Sequence, residues 1–138
     1  MLGWMMFLLV ALAAKPASAA SLEIVIENSL VAEGQIMIRL LQGEAEFKGE
    51  SPAYAALQRR ATMGEIRFVI DDLPDAEYGL QVMHDTNGNG ELDTNFVGMP
   101  REPWAFSNNA TGNMGPPKWQ DIKFSLDSDS HQSIRLNH

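Results

Sequence analysis

The residues with the clearest chemical spacing are Asp85, Asn87, Asn89, Gly90, Glu91 and Asp93, inside the run Asp85-Thr86-Asn87-Gly88-Asn89-Gly90-Glu91-Leu92-Asp93. Side-chain oxygens recur at alternate positions and a glycine stands sixth, which is the opening of a calcium-loop pattern. A hard cation such as Ca²⁺ takes six to eight oxygen ligands. Asp85, Asn87 and Asn89 would serve as positions one, three and five. Gly90 would supply the sharp turn through positive φ. Glu91 would offer its backbone carbonyl, and Asp93 a carboxylate or a water-mediated contact. Leu92 would anchor the loop in the core.

The pattern stops short of an EF-hand. Position twelve is Phe96, so the usual bidentate glutamate is missing, and no helical pattern flanks the loop. The expected ligand set is therefore Asp85, Asn87, Asn89, Glu91 and Asp93, completed by a downstream acid. Glu102 and Asp121 are the nearest, and Glu102 is favoured. The same residues also suit a metal-free turn, because Asn-Gly is common hairpin chemistry.

Other groups could do chemistry nearby. His84 beside Asp85 could act as a general base, although an inward histidine bonded to backbone is the plainer expectation. Imidazole is a poor calcium ligand. Trp104 and Trp119 could form a stacking platform for a sugar or could pin a loop to the core. Asn109-Ala110-Thr111 matches a glycosylation sequon. Ser107 and Ser125 lack a nucleophile-elbow context, and with no cysteine in the chain a thiol nucleophile is excluded.

The elements that must position these residues read as strands. Leu22, Ile24 and Ile26 alternate with polar residues, as do Ile36, Ile38 and Leu40, then Ile66, Phe68 and Ile70. Tyr78, Leu80, Val82 and His84 follow the same period, then Ile122, Phe124 and Leu126, and finally Ile134 and Leu136. Period-two alternation over five to eight residues marks half-buried antiparallel strands. Ala53 to Arg60 could be a further strand or one helical turn. No window suggests an amphipathic helix. The expected fold is all-β, an antiparallel β-sandwich of six to seven strands, immunoglobulin-like or transthyretin-like, with a closed barrel as the alternative. Leu73-Pro74-Asp75-Ala76-Glu77-Tyr78 fits a tyrosine corner and equally a plain inward Tyr at the start of a strand.

Between Asp93 and Lys118 the alternation lapses for about 24 residues rich in Gly and Pro. Loops this long in compact domains tend to be functional or disordered. Phe96, Trp104, Phe106 and nearby Trp119 give it an apolar payload, so it is expected to be an ordered flap beside the patterned loop.

The amino terminus carries an apolar run, Leu2 to Ala14, then Pro16 and Ala17-Ser18-Ala19. That is signal-peptide length with an A-x-A site, although no Lys or Arg precedes the run. The expected organisation is a signal peptide over 1–19 and one domain over 20–138, with no membrane span in the mature chain; an uncleaved amino-terminal anchor is the alternative. The formal charge is −8. An acidic chain is poorly matched to nucleic acid or anionic lipid. No Lys or Arg lies between Arg67 and Arg101, an interval with seven carboxylates.

Five short motifs carry a family resemblance. They are Tyr78-Gly79-Leu80-Gln81-Val82-Met83-His84-Asp85, Asn87-Gly88-Asn89-Gly90-Glu91-Leu92-Asp93, Gly98-Met99-Pro100-Arg101-Glu102, Phe106-Ser107-Asn108-Asn109-Ala110 and Gly115-Pro116-Pro117. In this order they resemble the exported bacterial family called domain of unknown function 2141, from roughly Leu22 to Leu136. The resemblance implies a small exported β-rich domain with no assigned reaction. It also implies that the loop, Glu102 and Asn108 or Asn109 belong to one site, and it supplies no catalytic residue.

The functional expectation is a periplasmic or secreted, monomeric, non-enzymatic module that holds Ca²⁺ and serves an envelope or extracellular ligand. The alternative is a metal-dependent hydrolase using His84, Asp85 and Glu102.

Overall fold

The computed structural model describes residues 19–91 and 100–138. The expected signal peptide therefore lies almost wholly outside the described residues, as does Asp93. Among the described residues eight strands form in the order β1 (Ala19–Ser29), β2 (Gln35–Leu41), β3 (Ala55–Arg60), β4 (Gly64–Pro74), β5 (Ala76–Asp85), β6 (Trp104–Phe106), β7 (Phe124–Leu126) and β8 (Ser130–Ile134). Two single-turn helices, α1 (Glu44–Phe47) and α2 (Trp119–Ile122), and a 3₁₀ turn at Ser107–Asn109 complete the described elements. No helix among the described residues is long and apolar enough to cross a membrane.

The strands make two sheets, one ordered β4-β1-β8 and the other β3-β2-β5-β6, with β7 also on β5. Register aligns the apolar faces. In the first sheet Leu22, Ile24 and Ile26 stand opposite Ile70, Phe68 and Ile66. In the second, Ile36, Ile38 and Leu40 stand opposite His84, Val82 and Leu80. These rows meet in one core that also takes Tyr78, Ala105, Leu126, Ile134 and Leu136. The fold is an all-β sandwich, and burial of one face of each strand is what holds its register.

Of the two readings open for Ala53 to Arg60 the structure takes the strand, since Ala55 to Arg60 pairs with β2 as β3. Two details differ from the sequence expectation. The 121–126 segment is only partly a strand. Asp121 and Ile122 belong to α2, where the Lys118 N–H donates to the Asp121 carboxylate at 3.0 Å. Trp119 and Ile122 then fall three residues apart on one helical face and fill a second small core with Leu41. Lastly β8 runs parallel to β1, so the first sheet is mixed rather than wholly antiparallel.

The long loop contains structure of its own. β6 pairs with β5 through Gln81–Phe106, Val82–Ala105 and Met83–Trp104. β7 pairs with the amino-terminal part of β5, at Ala76 to Tyr78. The two short strands therefore lie end to end along one edge of β5. Ser107 closes the gap between them. Its hydroxyl accepts from the Leu80 N–H at 2.9 Å and donates to the Ile122 carbonyl. Gly79 makes room there for Trp119, since a Cβ at this position would lie 2.6 Å from the indole.

Candidate metal centre

The patterned loop begins where β5 ends. Asp85 is the last strand residue and only 3 % exposed. One carboxylate oxygen accepts from the Asn89 N–H at 3.2 Å and the other from the Gly90 N–H at 2.7 Å. The loop thus curls back over its own first residue. Two further side-chain oxygens reinforce the curl. Asn87 Oδ1 accepts from the Asn89 N–H at 3.2 Å, and Asn89 Oδ1 accepts from the Glu91 N–H at 3.0 Å. Gly88 and Gly90 adopt φ of 72° and 78°, the left-handed region that glycine enters without a Cβ penalty.

Glu102 comes to the same place from the far side of the long loop. It is 5 % exposed. Its Oε2 accepts from the Thr86 N–H at 2.7 Å and from the Thr86 hydroxyl at 3.0 Å. Backbone pairing carries it there, because the His84 N–H donates to the Pro103 carbonyl at 2.9 Å. Asp85 and Glu102 are therefore two buried carboxylates at the start of one loop. Among the described residues no Lys or Arg pairs with Asp85. Burying a carboxylate costs several kcal/mol unless hydrogen bonds or a cation offset it. Here the loop N–H groups provide part of that offset.

The expected ligands divide accordingly. The structure brings Asp85, Asn87, Asn89, Glu91 and Glu102 to one loop. Asp93 lies outside the described residues. No group of three or more His, Cys, Asp or Glu side chains among the described residues is gathered closely enough to hold a metal. A cation at this loop would consequently depend on amide and carbonyl oxygens besides the two carboxylates, a donor set made only of hard oxygens. That chemistry suits Ca²⁺ better than a transition metal.

Several expected partners sit elsewhere. Asp121, the alternative downstream acid, caps α2. Asn108 and Asn109 are not beside the loop. The Asn108 amide donates to the Asp121 and Lys123 carbonyls, and the Asn109 amide donates to the Ser133 carbonyl and accepts from the Arg135 N–H. They follow Ser107, which meets β5 at Leu80, five residues or roughly 17 Å of strand before Asp85.

His84 is fully buried, and its Nε2–H donates to the Glu33 carbonyl at 2.7 Å. Its Nδ1 has no hydrogen-bond partner among the described residues. The ring is buried and bonded to backbone, as the plainer reading expected. The two tryptophans do not share a platform. Trp119 is buried against Phe47, whereas Trp104 packs edgewise on Phe106 at 5.7 Å.

Two contributors were not anticipated. Thr86 ties Glu102 to the loop, although its type carried no motif signal. Gly34, in the β1–β2 turn, lies so close that an added Cβ would sit 1.9 Å from the Asp85 carbonyl oxygen. A glycine in a turn was the only visible hint.

The match to a family model settles the wider relationship. The model described as an uncharacterized protein conserved in bacteria, DUF2141, covers residues 24–135. The chain belongs to this family. Its matched span runs from β1 to just past β8 and includes the loop, Glu102 and the whole of β6. No curated protein and no solved structure matches the chain.

Proposed function

We propose that the protein is an exported, non-enzymatic sandwich module, periplasmic or secreted, whose β5–β6 loop holds a calcium ion. The observation that carries the cation reading is the burial of Asp85 and Glu102 at one loop of alternating oxygen donors. Export is supported by the apolar run and Ala17-Ser18-Ala19 at the amino terminus. The non-enzymatic reading is supported by His84, whose ring is committed to the core and to the Glu33 carbonyl.

Two carboxylates imply modest affinity. At a Kd of roughly 10⁻⁴ M, as in weak extracellular modules, 1 mM calcium would add about 1.4 kcal/mol of stability. For a domain of this size that raises the melting temperature by roughly 5 °C. Thermal melts with calcium and with a chelator test the reading. Asp85→Asn and Glu102→Gln should each shrink the calcium-dependent rise, the latter while keeping an oxygen able to accept from Thr86. Identical midpoints in calcium and chelator would remove the metal from the proposal.

A further inference from the structure

The geometry points to a second binding site, on the outer face of the five-stranded sheet, for an apolar monocarboxylate such as a fatty acid. It rests on the binding-module half of the reading above and not on the cation.

Residues that alternate with the core positions of β2, β5 and β6 face away from the sandwich, and register lines them up in two rows. Met37, Met83 and Trp104 form one row, and Arg39, Gln81 and Phe106 form the other. Together with Thr111, Gly112 and Met114 to Pro116 these rows line a cleft of about 930 Å³. That volume lies within the range of small-ligand sites, which is about 300–1,000 Å³. Its walls are chiefly apolar, and methionine suits a flexible chain because its unbranched side chain adapts to irregular shapes. Met114, at the rim, is fully exposed. An outward sheet face in water would ordinarily be polar, so this concentration of Met, Trp and Phe calls for an apolar occupant.

Arg39 sets the chemistry of the head group. Its Nη1 donates to Gln81 Oε1, and its Nη2 donates to the Glu46 carbonyl at 3.2 Å. Arg39 makes no ion pair among the described residues. The nearby Glu46 carboxylate is engaged elsewhere, accepting from the Gln42 and Tyr54 N–H groups at 2.8 and 3.0 Å. A half-buried guanidinium held in place by two neutral acceptors, at the floor of an apolar cleft, complements one carboxylate attached to a hydrophobic body. The chain is acidic overall. Attraction must therefore come from contact with Arg39, since repulsion from distant acids is screened beyond about 8–10 Å at ordinary salt.

Isothermal titration of the purified protein with dodecanoate, dodecanol and dodecylammonium tests the site. Dodecanoate should bind at least about tenfold more tightly than either of the others. Arg39→Met should weaken dodecanoate roughly 10- to 100-fold, the range for a hydrogen-bonded charge, and leave dodecanol unchanged. Gln81→Glu should do the same by giving Arg39 an internal carboxylate. That nearly isosteric change also decides the matter if Arg39→Met fails to fold. Equal binding of the three probes, or carboxylate preference that survives Gln81→Glu in a folded protein, would overturn the assignment. The titrations are run in both calcium and chelator. Dodecanoate binding in both, with calcium-independent melts, would sink the loop reading alone. A calcium-dependent melt without dodecanoate binding would sink this one alone.

Discussion

At the scale of single residues, buried polar groups are mostly satisfied by backbone, and the partner explains the position. Tyr78 is fully buried, yet its hydroxyl donates to the Pro74 carbonyl at 2.7 Å and accepts from the Gln42 amide at 3.4 Å. Of the two readings of Leu73 to Tyr78 this is the tyrosine corner. Burial raises the phenol's pKa, Tyr54 and Asp75 add to the rise, and the Gln42 bond opposes it. The sign of the pH effect follows. A phenol that holds its proton more tightly folded than unfolded contributes stability that is intact below about pH 10, the ordinary phenol value. That stability is lost as pH climbs through the folded value. Tyr78→Phe should cost about 1 kcal/mol at neutral pH, the worth of one hydrogen bond. It should also flatten the alkaline decline, so that the gap between wild type and variant narrows as pH rises above about 10 in denaturant melts. A constant difference between them from neutral to pH 11 would show that Tyr78 does not govern the alkaline limb.

At the scale of elements, β5 is the hinge of the design, because both short edge strands, the tyrosine corner and the loop depend on it. At the junction between β6 and β7, Ser107 stands in for a missing ladder partner. Ser107→Ala would leave the Leu80 N–H and the Ile122 carbonyl buried without their partner. Denaturant unfolding should show a loss of roughly 2 kcal/mol or more. Ser125→Ala, at an exposed position, should stay within about 0.5 kcal/mol. Legibility in the sequence follows the same division. β1, β2, β4 and β5 could be read because one face of each is buried and alternation records it. β6 could not, since Trp104-Ala105-Phe106 is three residues among Pro and Gly and becomes a strand only by pairing with β5. The turn of α2 was hidden because Ile122 fits both a period of two and a helical spacing from Trp119. At the candidate site, the loop spacing of Asp85, Asn87 and Asn89 was visible, and family resemblance favoured Glu102. The cleft was not visible, because Met37, Arg39 and Gln81 read as the solvent face of their strands and only cross-strand register assembles them.

At the scale of the whole molecule, the two sheets are joined along both sides as well as through the core. On one side Arg59 of β3 lies 4.9 Å over the Phe68 ring of β4 and donates to the Arg67 carbonyl. On the other, the last four residues bridge from β1 to β6. The Leu136 N–H donates to the Asn28 side chain at 2.7 Å, and the Asn28 amide donates to the Leu136 carbonyl at 3.2 Å. One residue later, Asn137 exchanges backbone hydrogen bonds with Trp104 at 2.7 and 3.1 Å. Leu136 itself belongs to the core. The tail thus fixes β6, and β6 in turn supplies a wall of the cleft and leads back to Glu102. Ending the chain at Ile134 should cost about 2–5 kcal/mol, the range for losing one buried leucine to a cavity. It should also speed hydrogen exchange at the Trp104 amide, whose acceptor is the Asn137 carbonyl. The Ile24 and Ile38 amides, in the middle of β1 and β2, should keep their ranking as the slowest. If the shortened chain melts at the wild-type midpoint with Trp104 still protected, the tail only decorates the sandwich, and β6 is held by β5 alone.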